Sequence, residues 1–230
     1  MLVDLLVPMK PLTRAKTRLR GVAQGSSGVL DAHAGLVLAL ARDTFAAVAG
    51  AAVVRRVVAI CSDEVVCGAL AVDGVESILD EPAAGLNSAL QYGEAVLRAA
   101  DPATAVAALL ADLPALRPQE LDCAIRQGLA TGDRAFCADR MGTGTTLLVT
   151  PPQHSLNPRF GPGSATAHRA SGARDLSGRW PGLRCDVDTA ADLRLARELG
   201  LGRFTRAVLH IQEAGISLPG EPVVYPCDIA

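Results

Sequence analysis

Apolar positions along this chain fall into short continuous runs separated by longer mixed segments. Residues 2–7 form the first run, interrupted only by Asp4, and Pro8 stops it. The most continuous run starts at Ala105 and meets a single carboxylate, Asp112, followed by Leu113 and Pro114. Such a run, bounded by turn signals, predicts a strand buried on both faces. Pro114 cannot donate to a sheet ladder and keeps Leu113 out of helical geometry. The strand is therefore expected to end near Asp112, with the carboxylate at the sheet edge where α/β folds bind ligands. Taken alone, that Asp also fits a solvated residue that starts a turn.

The same pattern predicts further strands at 56–61, 75–79, 134–138, 145–149 and 183–187. Between them, helical segments are predicted at 29–48, 65–71, 86–100, 118–130 and 165–170. Pro118 is well placed for a first helical turn. Thr189 and Asp192 have capping-box spacing, and Gly200 stops the helix that follows. Strands alternating with helices argue for α/β, a mainly parallel sheet with helices on both faces. One domain is expected over residues 1–202, and residues 203–230 read as a tail of uncertain order.

Composition narrows the classes. Half of the 230 residues are hydrophobic, which argues against disorder, and the net charge of −2 argues against a general nucleic-acid binder. The six cysteines form no Cys-x-x-Cys pair and most lie in apolar runs. Buried free thiols are expected, with zinc and disulfides disfavoured. The amino terminus lacks the layout of a secretory signal, and no apolar stretch reaches membrane-spanning length without a charge or a proline. A soluble cytoplasmic protein with no membrane partner follows as the expectation.

Because the total charge is small, local clusters carry the chemistry. Five cations fall between Lys10 and Arg20, directly after the first strand. They suit phosphates, although a solvated basic loop has the same composition. At 81–87, Gly85 allows close backbone approach and Asn87 offers both a donor and an acceptor, which could read a purine edge or simply mark a loop with Asn near a helix start. Residues 139–146 hold Gly-Thr-Gly-Thr, whose amides and hydroxyls could bind a phosphate or carboxylate, or form a plain hairpin loop. Ser164, after Arg159-Phe160-Gly161-Pro162, is a candidate N-cap at a helix end that attracts anions.

At 183–188 the alternation puts Leu183, Cys185 and Val187 on one face and Arg184, Asp186 and Asp188 on the other. Asp112 and Asp186 would then share a sheet edge, and two carboxylates there suit magnesium. The four histidines show no metal-ligand spacing, and neither a nucleophile elbow nor a Walker-type loop is present.

Five motifs occur in order: Lys10 to Leu19 with Ala-Lys-Thr-Arg-Leu, Ala111-Asp112-Leu113-Pro114, Gly142-Thr143-Gly144-Thr145, Arg159-Phe160-Gly161-Pro162 and Cys185-Asp186-Val187-Asp188-Thr189. Together they resemble the phosphoenolpyruvate and 2-phospho-L-lactate guanylyltransferases of deazaflavin-coenzyme biosynthesis. Ala111 stands where many relatives carry Gly. The resemblance implies a Rossmann-like nucleotidyltransferase fold, transfer of GMP from GTP, and magnesium as cofactor.

By the same resemblance, Lys10, Lys16 and Arg18 would meet the GTP phosphates, with Lys16 also catalytic, and Gly85 and Asn87 would lie near guanine. Asp112 and Asp186 would be catalytic and hold the metal, with Asp188 as the alternative ligand. Thr145, Gly161 and Ser164 would bind the acceptor, phosphoenolpyruvate ahead of 2-phospho-L-lactate. Another nucleotidyltransferase, such as a molybdopterin-cofactor enzyme, and a non-catalytic nucleotide-binding module are the alternatives. The oligomeric state is left open, with a homodimer as one candidate.

Overall fold

The computed structural model describes residues 1–9, 19, 32–62, 64–80 and 84–213. Seven strands form one sheet: β1 (Val3–Met9), β2 (Val54–Cys61), β3 (Glu76–Leu79), β4 (Ala105–Leu109), β5 (Ala135–Ala138), β6 (Thr145–Thr150) and β7 (Arg174–Asp175). Their order is β3-β2-β1-β4-β6-β5-β7. The first four positions are mutually parallel. β6 runs antiparallel to both of its neighbours, so the sheet is mixed, and β7 returns parallel to β5. A hairpin joins β5 to β6, which is why β6 reverses direction.

The helices are α1 (Ala32–Ala49), α2 (Glu64–Ala71), α3 (Leu86–Ala100), α4 (Pro118–Ala130), α5 (Ser164–Ala170), α6 (Ala190–Leu199) and α7 (Arg203–Glu213). Both α3 and α4 have the bounds the pattern predicts. β4 ends at Leu109, earlier than expected; a last in-register bond from the Leu110 N–H to the Thr146 carbonyl of β6 follows at 3.0 Å, and the chain then leaves the sheet.

Strand alternation divides the core in two. Leu5, Val7, Ala107 and Leu109 pack with α1, α2 and α4 on one face. Leu6, Val58, Ile60, Val106 and Ala108 pack with α3 and α5 on the other. A third cluster joins Leu36 and Leu40 of α1 to Leu193, Ala196 and Leu201 around α6. α1 is long and apolar enough to cross a membrane by length and composition, yet 61% of it is buried within the fold. Its polar residues are used internally. Asp43 accepts the Phe204 and Thr205 amides at 2.9 and 2.8 Å, which caps α7.

Several local expectations are corrected. Residues 183–187 form no strand; the segment runs as turn and extended coil beside the Asp112 loop. Its alternation survives, with Leu183, Cys185 and Val187 buried, because single contacts replace a ladder. Cys61 and Cys67 form a disulfide, since the end of β2 and the first turn of α2 bring their Cα atoms to 6.6 Å. Cys137 and Cys185 are buried free thiols, whereas Cys123 is exposed on α4. Cys227 and residues 214–230 lie outside the described residues.

Two glycines set how closely helices approach the sheet. A Cβ at Gly93 would meet Ile60 Cδ1 at 2.5 Å, and one at Gly128 would collide with Val149 Cγ1. Alanine is intrinsically better in a helix by about 1 kcal/mol. Overpacking outweighs that gain, so Gly128→Ala is expected to destabilise by about 1–3 kcal/mol, read as a lower urea midpoint at unchanged slope.

Candidate active site

The carboxyl ends of β1 and β4 open onto a cavity of about 570 Å³, a size suited to a small ligand. Its wall includes Pro8 and Met9, residues 110–112, Asp139, residues 143–145, residues 160–164, Asp186 and Asp188.

Asp112 is held through its backbone. The Val187 N–H donates to the Asp112 carbonyl at 3.0 Å, so Asp186 and Asp188 flank the residue bonded to Asp112. On the other side, the buried Thr44 hydroxyl lies 3.0 Å from the Ala111 carbonyl and accepts the Leu113 N–H at 3.0 Å. α1 thus grips the loop on either side of Asp112. Downstream, Thr189 and Asp192 form the expected capping box at the start of α6. Burial disfavours charge on Asp192, but bonds from Thr189 and Arg140 hold its carboxyl below the usual range.

The Gly-Thr-Gly-Thr loop is organised by Asp139. Its carboxylate accepts the Thr143 and Gly144 amides at 2.9 and 2.8 Å, and its carbonyl accepts from Gly142. Those amides are therefore occupied within the loop, which fits the plain hairpin that the sequence also allowed. A Cβ on Gly144 would strike the Asp139 carboxylate at 2.5 Å, so glycine is needed there.

The adjoining wall is the segment around Phe160, which leads into α5, where the Ala165 N–H donates to the Thr143 carbonyl of the loop at 3.1 Å. Asn87, on the first turn of α3, accepts the Phe160 N–H at 2.8 Å and donates to its carbonyl at 3.0 Å. Gly161 and Gly163 have φ of 134° and 71°, conformations that favour glycine. Gly163, not Ser164, occupies the N-cap of α5; Ser164 is already helical and buried. Gly85 caps α3, and Leu86 between it and Asn87 touches the cavity.

Behind Thr145 lies His168, fully buried. The Arg159 N–H donates to its Nε2 at 2.9 Å, and its Nδ1 is 2.9 Å from the Thr145 hydroxyl. Burial chiefly, helped by Arg134 and Arg159, lowers its pKa to about 4. Burial likewise pushes the Cys137 and Cys185 thiols up to about 11, with Asp186 adding to the effect at Cys185. These groups are poor nucleophiles near neutral pH.

Asp112, Asp186, Asp188, Thr145, Gly161 and Ser164 thus line one cavity. Lys10, Lys16 and Arg18 lie outside the described residues. Sequence reasoning missed Asp139, Thr44 and His168. An Asp ahead of a glycine loop is a readable signal for the first; the other two act across long separations with no local signature.

A family model described as "Guanylyl transferase CofC like" matches residues 3–195. The chain belongs to this family.

Curated relatives agree. A phosphoenolpyruvate guanylyltransferase from Geodermatophilus obscurus is 47% identical over 206 residues, covering 90% of this chain and 93% of that one. Another, from Salinispora arenicola, is 48% identical over 202 residues, covering 87% and 90%. Among solved structures, a nucleotidyl transferase from Methanothermobacter has a TM-score of 0.58 at 16% identity, covering 86% of this chain and 97% of that one. Rv0371c of Mycobacterium tuberculosis, in complex with manganese, has a TM-score of 0.54 at 21% identity, covering 86% and 100%. At these identities the two structures speak for a shared nucleotidyltransferase-type fold.

The buried, neutral His168 has a consequence for acid stability. Its pKa falls from 6.5 to about 4 on folding, so the unfolded chain binds more protons between those values. Its contribution is whole above about pH 6.5 and is lost as pH falls toward 4. Relative to a His168→Asn variant, the wild type should lose about 2–3 kcal/mol between roughly pH 7 and pH 4.5. Urea unfolding of both proteins at the two pH values measures it.

Proposed function

We propose that this chain transfers the GMP of GTP to phosphoenolpyruvate, releasing pyrophosphate and giving enolpyruvoyl-2-diphospho-5'-guanosine for a deazaflavin coenzyme. The observation that carries this reading is one cavity holding Asp112, Asp186 and Asp188 opposite Thr145, Gly161 and Ser164, in a chain of the guanylyl transferase family.

The chemistry needs no protein nucleophile. An oxygen of the acceptor phosphate attacks the α-phosphorus of GTP, forming one P–O bond as the bond to pyrophosphate breaks. The barrier lies in bringing anions together in line, so positioning and charge compensation supply the rate. A neutral His168 and thiols raised to about 11 fit a site without covalent catalysis.

The described wall of the cavity carries four carboxylates, Asp112, Asp139, Asp186 and Asp188, and neither Lys nor Arg. Such a wall repels phosphates unless cations intervene. Among the described residues no three His, Cys, Asp or Glu side chains form a complete metal cage. That suits magnesium, which takes one or two carboxylates and completes its shell with water and substrate phosphates. Asp112 with Asp186 or Asp188 would hold it; Asp139 is engaged by its own loop. When bound, the ion offsets charge on the reacting phosphates.

β1 delivers the chain to the cavity at Met9, directly before Lys10, so Lys10, Lys16 and Arg18 are assigned to the GTP phosphates. Gly85 and Asn87 are assigned to the guanine end. Asn87 does so by fixing Phe160, whose backbone already takes up its amide. Thr145, Gly161 and Ser164 are assigned to the acceptor acid.

Incubation with GTP, magnesium and phosphoenolpyruvate should release pyrophosphate and yield the diphosphate product by mass spectrometry. Turnover with 2-phospho-L-lactate instead would move the acceptor assignment. Silence with both acids would reject the reading, and GTP binding without turnover would favour a nucleotide-binding module.

Asp112→Asn is expected to abolish detectable pyrophosphate release, since losing a metal-binding carboxylate removes several kcal/mol of transition-state stabilisation. The melting temperature should stay within a few degrees, because the loop is held by backbone bonds that the variant keeps. A large drop in melting temperature would assign Asp112 a structural role.

A further inference from the structure

His168 belongs to no motif that the function uses, yet its two ring nitrogens are both engaged and connect two walls of the cavity. The partner of Nε2 is a backbone N–H, that of Arg159, which can only donate. Nε2 is therefore an acceptor and carries no proton. A neutral imidazole has one N–H, so the proton sits on Nδ1, which faces the Thr145 hydroxyl oxygen at 2.9 Å and has the Ser164 carbonyl as a second acceptor. The ring cannot turn freely to reverse these roles. Phe160 packs edge-on at 5.2 Å between centroids and Phe136 lies at 5.7 Å, and Asn87 clamps Phe160 in turn.

The direction of the chain of bonds then fixes Thr145. Its oxygen already accepts from His168, so its own hydroxyl proton must point elsewhere. Among the described residues no acceptor takes that proton, and Thr145 lines the cavity. A buried hydroxyl proton without an acceptor in the protein calls for one from a ligand.

We propose that His168 is a positioning residue that holds Thr145 as a hydrogen-bond donor toward an anionic oxygen of the acceptor acid. The Arg159 amide sets the tautomer, His168 passes the direction on, and Thr145 presents the proton. This links the Arg-Phe-Gly-Pro and Gly-Thr-Gly-Thr loops into one device and makes that wall select acceptors over donors. The inference rests on the proposed function in one respect, that the acceptor acid meets Thr145.

The test is a double-mutant cycle with Thr145→Val, His168→Leu and both together, reading KM for phosphoenolpyruvate and for GTP separately. Each single variant should raise the phosphoenolpyruvate KM about tenfold or more, as loss of a hydrogen bond to a charged group requires. The double variant should be no worse than Thr145→Val alone, and the GTP KM should stay within about twofold. His168→Asn, which keeps an N–H near the Nδ1 position, should restore part of the loss, and His168→Gln should not. Additive losses, or an equal rise in the GTP KM, would overturn the proposal. If His168→Leu fails to fold, the Asn and Gln variants complete the cycle.

Nitrogen-15 NMR of the His168 ring in the free wild-type protein gives a readout independent of activity. A proton on Nδ1 supports the device, and a proton on Nε2 overturns it. Wild-type silence with both acids would reject the transfer reading and Thr145's role in it, whereas the tautomer is decided by NMR alone.

Discussion

A backbone hydrogen bond from the Val187 N–H to the Asp112 carbonyl, 3.0 Å long, is the constraint on which the site depends. It joins the segment after β4 to the coil before α6, which are far apart in sequence. A ladder between these segments would have spread the register over several residues. One bond instead pins a single pair, and the residues on both sides of Val187 line the cavity. The carboxylates are placed by main-chain geometry, so their chemistry does not have to hold the loop together as well.

The support for that bond explains features of α1 that look odd in an apolar helix. Thr44, fully buried, ties down both neighbours of Asp112, and Asp43 caps α7 from the same turn. Arg42 stacks on Phe204 at 4.0 Å while paired with Asp73. Three consecutive polar residues therefore fasten the Asp112 loop, the α7 helix and the α2–β3 turn to one helix. Single polar bonds of this kind contribute about 1 kcal/mol each, so their importance lies in direction more than in stability.

Much of this was legible in the sequence because it follows from periodicity and local rules. The bounds of α3 and α4, the capping box at Thr189 and the buried run of β4 depend on residues a few positions apart. The alternation at 183–188 was read correctly as to faces and wrongly as to a strand. Period-two burial shows which residues face the core and says nothing about whether the segment is fully extended or a neighbour completes its ladder. The Cys61–Cys67 bridge escaped because β2 and α2 meet by the turn between them, which spacing alone does not reveal. His168 and Thr44 escaped for a related reason: each acts on a segment distant in sequence, and its role exists only once the fold brings the partners together.

The electrostatics of the cavity ask for an external charge. Four carboxylates on the described wall would oppose a triphosphate and a phosphorylated acid if they acted alone. One of these carboxylates and the nearby imidazole have roles inside the protein. Asp139 is satisfied by loop amides, and His168 is held uncharged, so that its wall offers directed hydroxyl and backbone donors without net charge. Asp112, Asp186 and Asp188 place hard oxygen ligands on the same cavity. On the proposed reading, a divalent ion there would convert the repulsive wall into an attractive one, while the wall of Thr145 and His168 would distinguish ligands by hydrogen-bond direction. On that reading the two tasks are separate: charge would govern whether phosphates enter, and geometry which acid is accepted.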